Sequence, residues 1–82
     1  MKHAGTDALD RLEALLIQIR EYGDLKEKKR GIFYRKSSAF LHFHEDPEGL
    51  FADLRVDDGW KRLRVTNKSD RKVLLAELNK IL

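Results

Sequence analysis

The chain predicts an α+β domain: a four-stranded antiparallel meander between an N-terminal and a C-terminal helix, in the order αββββα, with both helices on one sheet face. Three observations carry that prediction. Apolar residues recur at helical spacing near both ends of the chain. From Ile32 to Val65 the period drops to two. Three turn signals divide that stretch into four segments of strand length.

The first helix is expected over about Asp7 to Tyr22. Thr6 or Asp7 can cap it, and Leu9, Leu12, Leu16 and Ile19 form a stripe widened by Ala8 and Leu15. Gly23 suits the left-handed position that closes a helix. The run Asp24 to Gly31 holds Lys26, Lys28, Lys29 and Arg30 and reads as a solvated charged connector. Strands follow at about Ile32–Lys36, Ala39–His44, Leu50–Val56 and Trp60–Val65. Ser37-Ser38 closes the first hairpin, Glu45-Asp46-Pro47-Glu48-Gly49 the second, and Asp58-Gly59 the third. The last helix runs from Ser69 or Asp70 to the end, capped by Asn67 or Ser69. Val73, Leu74, Leu78, Ile81 and Leu82 form its stripe, with Leu75 beside it.

Register is a test of consistency, because slipping a strand by one residue exchanges its faces. With Phe43 opposite Leu50 and Leu54 opposite Leu63, one face collects Ile32, Tyr34, Ala39, Leu41, Phe43, Leu50, Ala52, Leu54, Val56, Leu63 and Val65. That is a core for two helices to cover. The other face collects Phe33, Arg35, Phe40, His42, His44, Phe51, Asp53, Arg55, Trp60, Arg62 and Arg64. Rings mixed with guanidinium groups are costly to leave in water, so this face is the candidate binding surface.

At 82 residues the chain reads as one domain, with residues 1–6 frayed. A formal net charge of +3 is mildly basic, compatible with a polyanion but far below that of a dedicated nucleic-acid protein. With no cysteine there is no disulfide, thiolate metal site or cysteine nucleophile. No apolar run reaches membrane-spanning length and the first residues lack a secretory h-region, so a cytoplasmic protein without a membrane partner is expected. No motif asks for a cofactor.

Three readings of the aromatic and basic face stand side by side. It can be structural, with Arg64 paired to Asp53 across strands and arginine stems covering rings. It can be a protein interface, including one between two copies of the chain, since aromatics and arginine are the residues of interface hot spots. It can stack single-stranded nucleic acid, although the RNP signature is absent and the acidic pairs Glu45-Asp46 and Asp57-Asp58 are expected together at one edge. The favoured expectation is a non-enzymatic interaction domain for a protein partner or homodimer, with single-stranded nucleic acid as the alternative.

His42-Phe43-His44 projects two imidazoles to one face and is the one metal-like spacing. Two ligands make no zinc site, and His3 falls in the frayed end, so no metal site is expected. His42 or His44 with Asp53 has the makings of an oriented general base. The serines available as nucleophiles, Ser37 and Ser38, lie in a turn without a glycine-rich elbow, and no phosphate loop or dinucleotide glycine pattern is present. An enzyme is not the expected reading.

The stretch Ala39-Phe-Leu-His-Phe-His-Glu-Asp-Pro-Glu-Gly-Leu-Phe-Ala-Asp-Leu-Arg55, preceded by Lys29-Arg30-Gly31-Ile32-Phe33-Tyr34, resembles a family of small uncharacterised bacterial single-domain proteins. The resemblance covers most of the chain from Lys29 onward and implies no activity. A meander between helices is also distantly similar to small α+β proteins of the YjbR/MmcQ kind, in architecture only.

Overall fold

The sheet has six strands rather than four, and the two additional ones come from segments that carry no alternating pattern. In the computed structural model, which describes residues 1–82, the elements are β1 (Lys2–His3), α1 (Thr6–Ile19), β2 (Leu25–Lys29), β3 (Ile32–Arg35), β4 (Ser38–Asp46), β5 (Gly49–Val56), β6 (Gly59–Arg64) and α2 (Lys68–Ile81). Strands β2 to β6 form an antiparallel meander in chain order, and β1 pairs with β4 beyond the end of β3. No helix is long and apolar enough to cross a membrane.

The α+β class and the antiparallel sheet agree with expectation, as do most helix residues. Leu12, Leu16 and Ile19 of α1 and Leu74 and Leu78 of α2 are fully buried in one cluster with Leu41, Phe43, Leu50, Ala52, Leu54 and Val65. Both helices therefore cover the same face of the sheet. Tyr22, just beyond α1, donates a hydrogen bond from its hydroxyl to Asn79 near the end of α2, so the C-terminal ends of the two helices are tied together. Val73 departs from the expected stripe. It is 53% exposed, on the wet side of α2.

The capping residues differ at one helix and agree at the other. No side chain of Thr6 or Asp7 caps α1; Gly5 is its N-cap, and the Glu45 carboxylate reaches over from β4 to accept the Gly5 N–H at 2.6 Å. A carboxylate at that end also favours the helix dipole. The helix closes at Arg20, before Gly23, which keeps an ordinary negative φ. Asn67 caps α2 in a reciprocal box: its side chain accepts from Asp70 N–H, and the Asp70 carboxylate accepts from Asn67 N–H.

The charged segment expected as a connector is instead β2, bulged between Glu27 and Lys29 and joined to β3 through Arg30-Gly31. Its charges are organised by α1. Arg20 donates to Glu27 at 2.6 Å and Glu13 at 2.7 Å, and Arg30 donates to Glu13 and Asp10. Its hydrogen bonds to Glu27 first and Glu13 second raise the Arg20 pKa further above its ordinary value. Burial works against ionising Glu27, but the bonds from Arg20 and from Gly31 N–H outweigh it and hold its pKa below that of a free glutamate.

The first and third hairpin turns fall one residue nearer the N-terminus than expected, and the second one residue nearer the C-terminus. Lys36-Ser37, both at positive φ, close β3–β4; Pro47-Glu48 close β4–β5; Asp57-Asp58 close β5–β6. The registers are accordingly displaced by two residues, with Phe43 opposite Ala52 and Ala52 opposite Leu63. A two-residue displacement leaves every side chain on its face. Between β3 and β4, however, Phe40 is an extra residue: Tyr34 pairs with Ala39 while Phe33 pairs with Leu41. That bulge reverses the faces of β3. Phe33 enters the core at 1% exposure, and Ile32, opposite His42, and Tyr34 turn away from it.

Candidate functional site: the uncovered sheet face

Residues on the face away from the helices come from β1, β4, β5 and β6, with Ile32 and Tyr34 of β3 turned to the same side. Direct cross-strand pairs set out the rows: His3, His44, Phe51 and Arg64 in one, and His42, Asp53 and Arg62 in the next, with Arg55 opposite Trp60 beyond them. Eight of the eleven residues expected on this face lie there. The bulge removes three. Phe33 is in the core, and Phe40, 4% exposed, joins the core cluster. Arg35 stacks on the Phe40 ring at 5.7 Å and lines a hollow with Val56, Glu77 and Ile81 at the corner of the sheet.

Asp53 is the only buried charged residue, at 7% exposure. It faces Arg62, not Arg64. Arg62 Nε and Nη2 donate to its two carboxylate oxygens at 2.7 and 2.8 Å, a fork-to-fork pair that gives planar complementarity. The Arg62 bonds hold the Asp53 pKa below the ordinary aspartate value against the opposing pull of burial. Arg64 lies instead opposite Phe51, with its guanidinium 5.8 Å from the ring centroid and a bond to the Glu48 carbonyl. Arg55 sits 5.3 Å from the ring of Trp60, which remains 43% exposed.

Three histidines meet at the β1–β4 side of this face. β1 is held by pairings of Lys2 with Glu45 and His3 with His44, and by Ala4 N–H donating to the Phe43 carbonyl. His3 is therefore not frayed but seated in register against His44. Ring centroids are 4.6 Å apart for His3–His44, 5.2 Å for His42–His44 and 5.8 Å for His3–His42. Trp60 leans across β5 to bring its ring 4.7 Å from His42. Asp53 Oδ2 lies 3.4 Å from His44 Nδ1, yet that nitrogen and His42 Nδ1 are buried without a hydrogen-bond partner. The distance allows the bond and the present ring orientation does not make it. Burial lowers the pKa of both His42 and His44; Asp53 opposes this, and His3 and Arg62 reinforce it. Both rings are therefore neutral at pH 7, with a lone pair on one nitrogen each.

Sequence reasoning found His42 and His44 and missed His3. A strand of two residues has no period to read, and its partner lies some forty positions away. The acidic pairs also differ from expectation. Glu45-Asp46 stands at the β4–β5 turn and Asp57-Asp58 at the β5–β6 turn, so they mark opposite ends of the sheet. Chemically, the face offers exposed guanidinium groups braced on rings, one neutralised buried carboxylate and a knot of imidazoles. Comparison of the chain with protein-family models, with curated proteins and with solved structures finds no match.

Proposed function

We propose that this chain is a binding domain that uses the uncovered sheet face to hold an acidic segment of another protein. The observation that carries the proposal is the set of three exposed guanidinium groups on one face, Arg55 and Arg64 beside an Arg62 that is paired with the buried Asp53. Two of the three lie against Trp60 and Phe51. Arginine and aromatic side chains together are the composition of interface hot spots, and an arginine held over a ring loses less freedom when it meets a carboxylate.

Charge complementarity separates the possible occupants. A second copy would bring Arg55 and Arg64 toward the same groups of its partner, a like-charge juxtaposition that disfavours face-to-face pairing. For single-stranded nucleic acid the two ring platforms, exposed Trp60 and half-buried Phe51, are poorly spaced. Phe51 lies opposite Arg64 and Trp60 opposite Arg55, four residues along the strands, or roughly 13 Å at the rise of a β-strand. Successive stacked bases need far closer platforms. An extended acidic segment has no such requirement, because side-chain carboxylates alternate along it at strand spacing.

The test is fluorescence anisotropy of two labelled probes of equal charge, a glutamate-rich peptide and oligo(dT), at one physiological salt concentration, with sedimentation velocity of the unlabelled chain alongside. The peptide is expected to bind more tightly than oligo(dT), and Trp60→Ala, Phe51→Ala and Arg64→Ala are each expected to weaken it about tenfold, the size of a 1.4 kcal/mol loss. Tighter binding of oligo(dT), or micromolar self-association relieved by Trp60→Ala, would assign the face to a different occupant and overturn the reading.

A further inference from the structure

The three histidines form a constellation that recognition of an acidic segment does not use. We propose that His3, His42 and His44 are the protein ligands of a divalent transition-metal site, with zinc as the best-matched ion. The proposal is independent of what the arginines bind.

Geometry is the first support. One nitrogen from each ring lies within 4.8 Å of the other two. Tetrahedral zinc with bonds of 2.0–2.1 Å needs nitrogens about 3.3 Å apart. The difference is a rotation of imidazole rings, and His3, exposed on its two-residue strand, has the freedom to make it. The second support is unmet hydrogen-bonding capacity. Two of the rings carry a buried Nδ1 with no partner, which is costly unless something else satisfies those rings. The third is the supporting group behind the ligands. Asp53 Oδ2 is 3.4 Å from His44 Nδ1, and Arg62 fixes the Asp53 carboxylate by two hydrogen bonds. A carboxylate behind a metal-binding imidazole orients the ring, selects its tautomer and raises its basicity. A small turn of His44 makes that bond and leaves Nε2 free to bind the ion.

The donor set decides the class of ion. Three imidazoles suit zinc, copper, nickel or ferrous iron; magnesium and calcium require oxygen ligands. The neighbouring carboxylates are committed elsewhere, Glu45 to Gly5 N–H and Asp53 to Arg62. The site is thus N3, with its fourth position directed outward on the uncovered face, where a water molecule can complete the shell. His3 is essential to it, because two imidazoles from one strand do not make a zinc site.

The experiment is titration of the chelator-stripped 82-residue chain with Zn2+ in competition with a chromophoric chelator, repeated with Co2+ for its visible d–d spectrum and with Mg2+ as the oxygen-seeking control. Cu2+ and Ni2+ are avoided as probes, because their higher affinity for nitrogen donors and their square-planar preference draw them to other sites. Expected are one Zn2+ per chain, a four- or five-coordinate Co2+ spectrum and no competition from Mg2+. A hundredfold excess of Zn2+ over Kd should raise Tm by roughly 10 °C or more. His3→Gln, His42→Gln and His44→Gln should each reduce affinity at least tenfold. His3→Gln is the decisive variant, since an exposed residue of a two-residue strand can change while circular dichroism confirms an intact fold. Unchanged Zn2+ affinity in His3→Gln, a stoichiometry other than one, effective Mg2+ competition or no saturable Zn2+ binding would each overturn the proposal.

Discussion

Replacing Phe33 by alanine measures whether the Phe40 bulge decides what faces the core. Strict alternation puts Ile32 and Tyr34 inside and Phe33 outside; the bulged register puts Phe33 inside at 1% exposure. Truncation to alanine removes on the order of 100 Å² of buried apolar surface, or about 2.5 kcal/mol at 25 cal/mol/Å². The cavity left against Leu41 and its neighbours increases the loss to about 3–5 kcal/mol. A chain of this length has roughly 4–12 kcal/mol in total, so the variant retains only part of its stability. In urea unfolding followed by far-ultraviolet circular dichroism, the midpoint should fall by about 2 M or more. Ile32→Ala, on a half-buried residue of the opposite face, should cost no more than about 1–2 kcal/mol. Phe33→Leu serves as the milder member of the series if the alanine variant does not fold. If Ile32→Ala proves as damaging as Phe33→Ala, or more so, the bulged register is wrong.

Three further outcomes follow from local structure. Gly31→Ala should destabilise by at least about 1 kcal/mol, because φ is +80° and a Cβ would stand 2.6 Å from Leu9 Cδ2; Gly23→Ala, with no neighbour in reach, should not destabilise, and thermal melts compare the two. Asn67→Ala breaks the capping box of α2 and should cost about 1 kcal/mol, seen as a fall in Tm of about 4–8 °C. The folded-state pKa values of Glu13 and Glu27 lie below the ordinary 4.5, under the influence of Arg20, Arg30 and Gly31 N–H. The unfolded chain therefore binds more protons in this range, so their stabilisation is complete above the ordinary value and is lost as pH falls through it toward the folded values. Urea midpoints measured from pH 6 down to pH 3 should fall less steeply in Glu27→Gln than in the parent chain.

Why most faces were legible while one strand was not follows from parity. Moving a two-residue turn by one position changes the sum of paired residue numbers by two, and each side chain keeps its side. The β4–β5 and β5–β6 hairpins changed partners in this way, and Leu41, Phe43, Leu50, Ala52 and Leu54 still reached the core. The bulge at Phe40 changes the sum by one, which exchanges the sides of everything in β3. Nothing in Ser38-Ala39-Phe40-Leu41 announces it, since both phases place an aromatic residue inside. Strand β2 was hidden for a different reason: Lys26, Glu27, Lys28 and Lys29 carry no apolar alternation, and their order depends on pairing with β3 and on ion pairs to α1. At the site, Arg55, Arg62, Arg64 and Trp60 could be read from alternation alone. The partner of Asp53 could not, because a displacement of two residues substitutes Arg62 for Arg64.

β1 joins the sheet through a closure some forty residues long and is held there by two paired positions, the Ala4–Phe43 and Gly5–Glu45 hydrogen bonds and exposed ion pairs to Glu45 and Asp46. None of the sixteen fully buried apolar residues belongs to it. Segments of that kind dock late in folding and open first in the native state, without involving the rest of the molecule. His3 therefore arrives and departs on its own schedule, while His42 and His44 stay where the β4–β5 hairpin puts them. Deuterium exchange at the Ala4 amide is the clock for that motion, and every opening event it counts is a moment in which the trio is reduced to a pair.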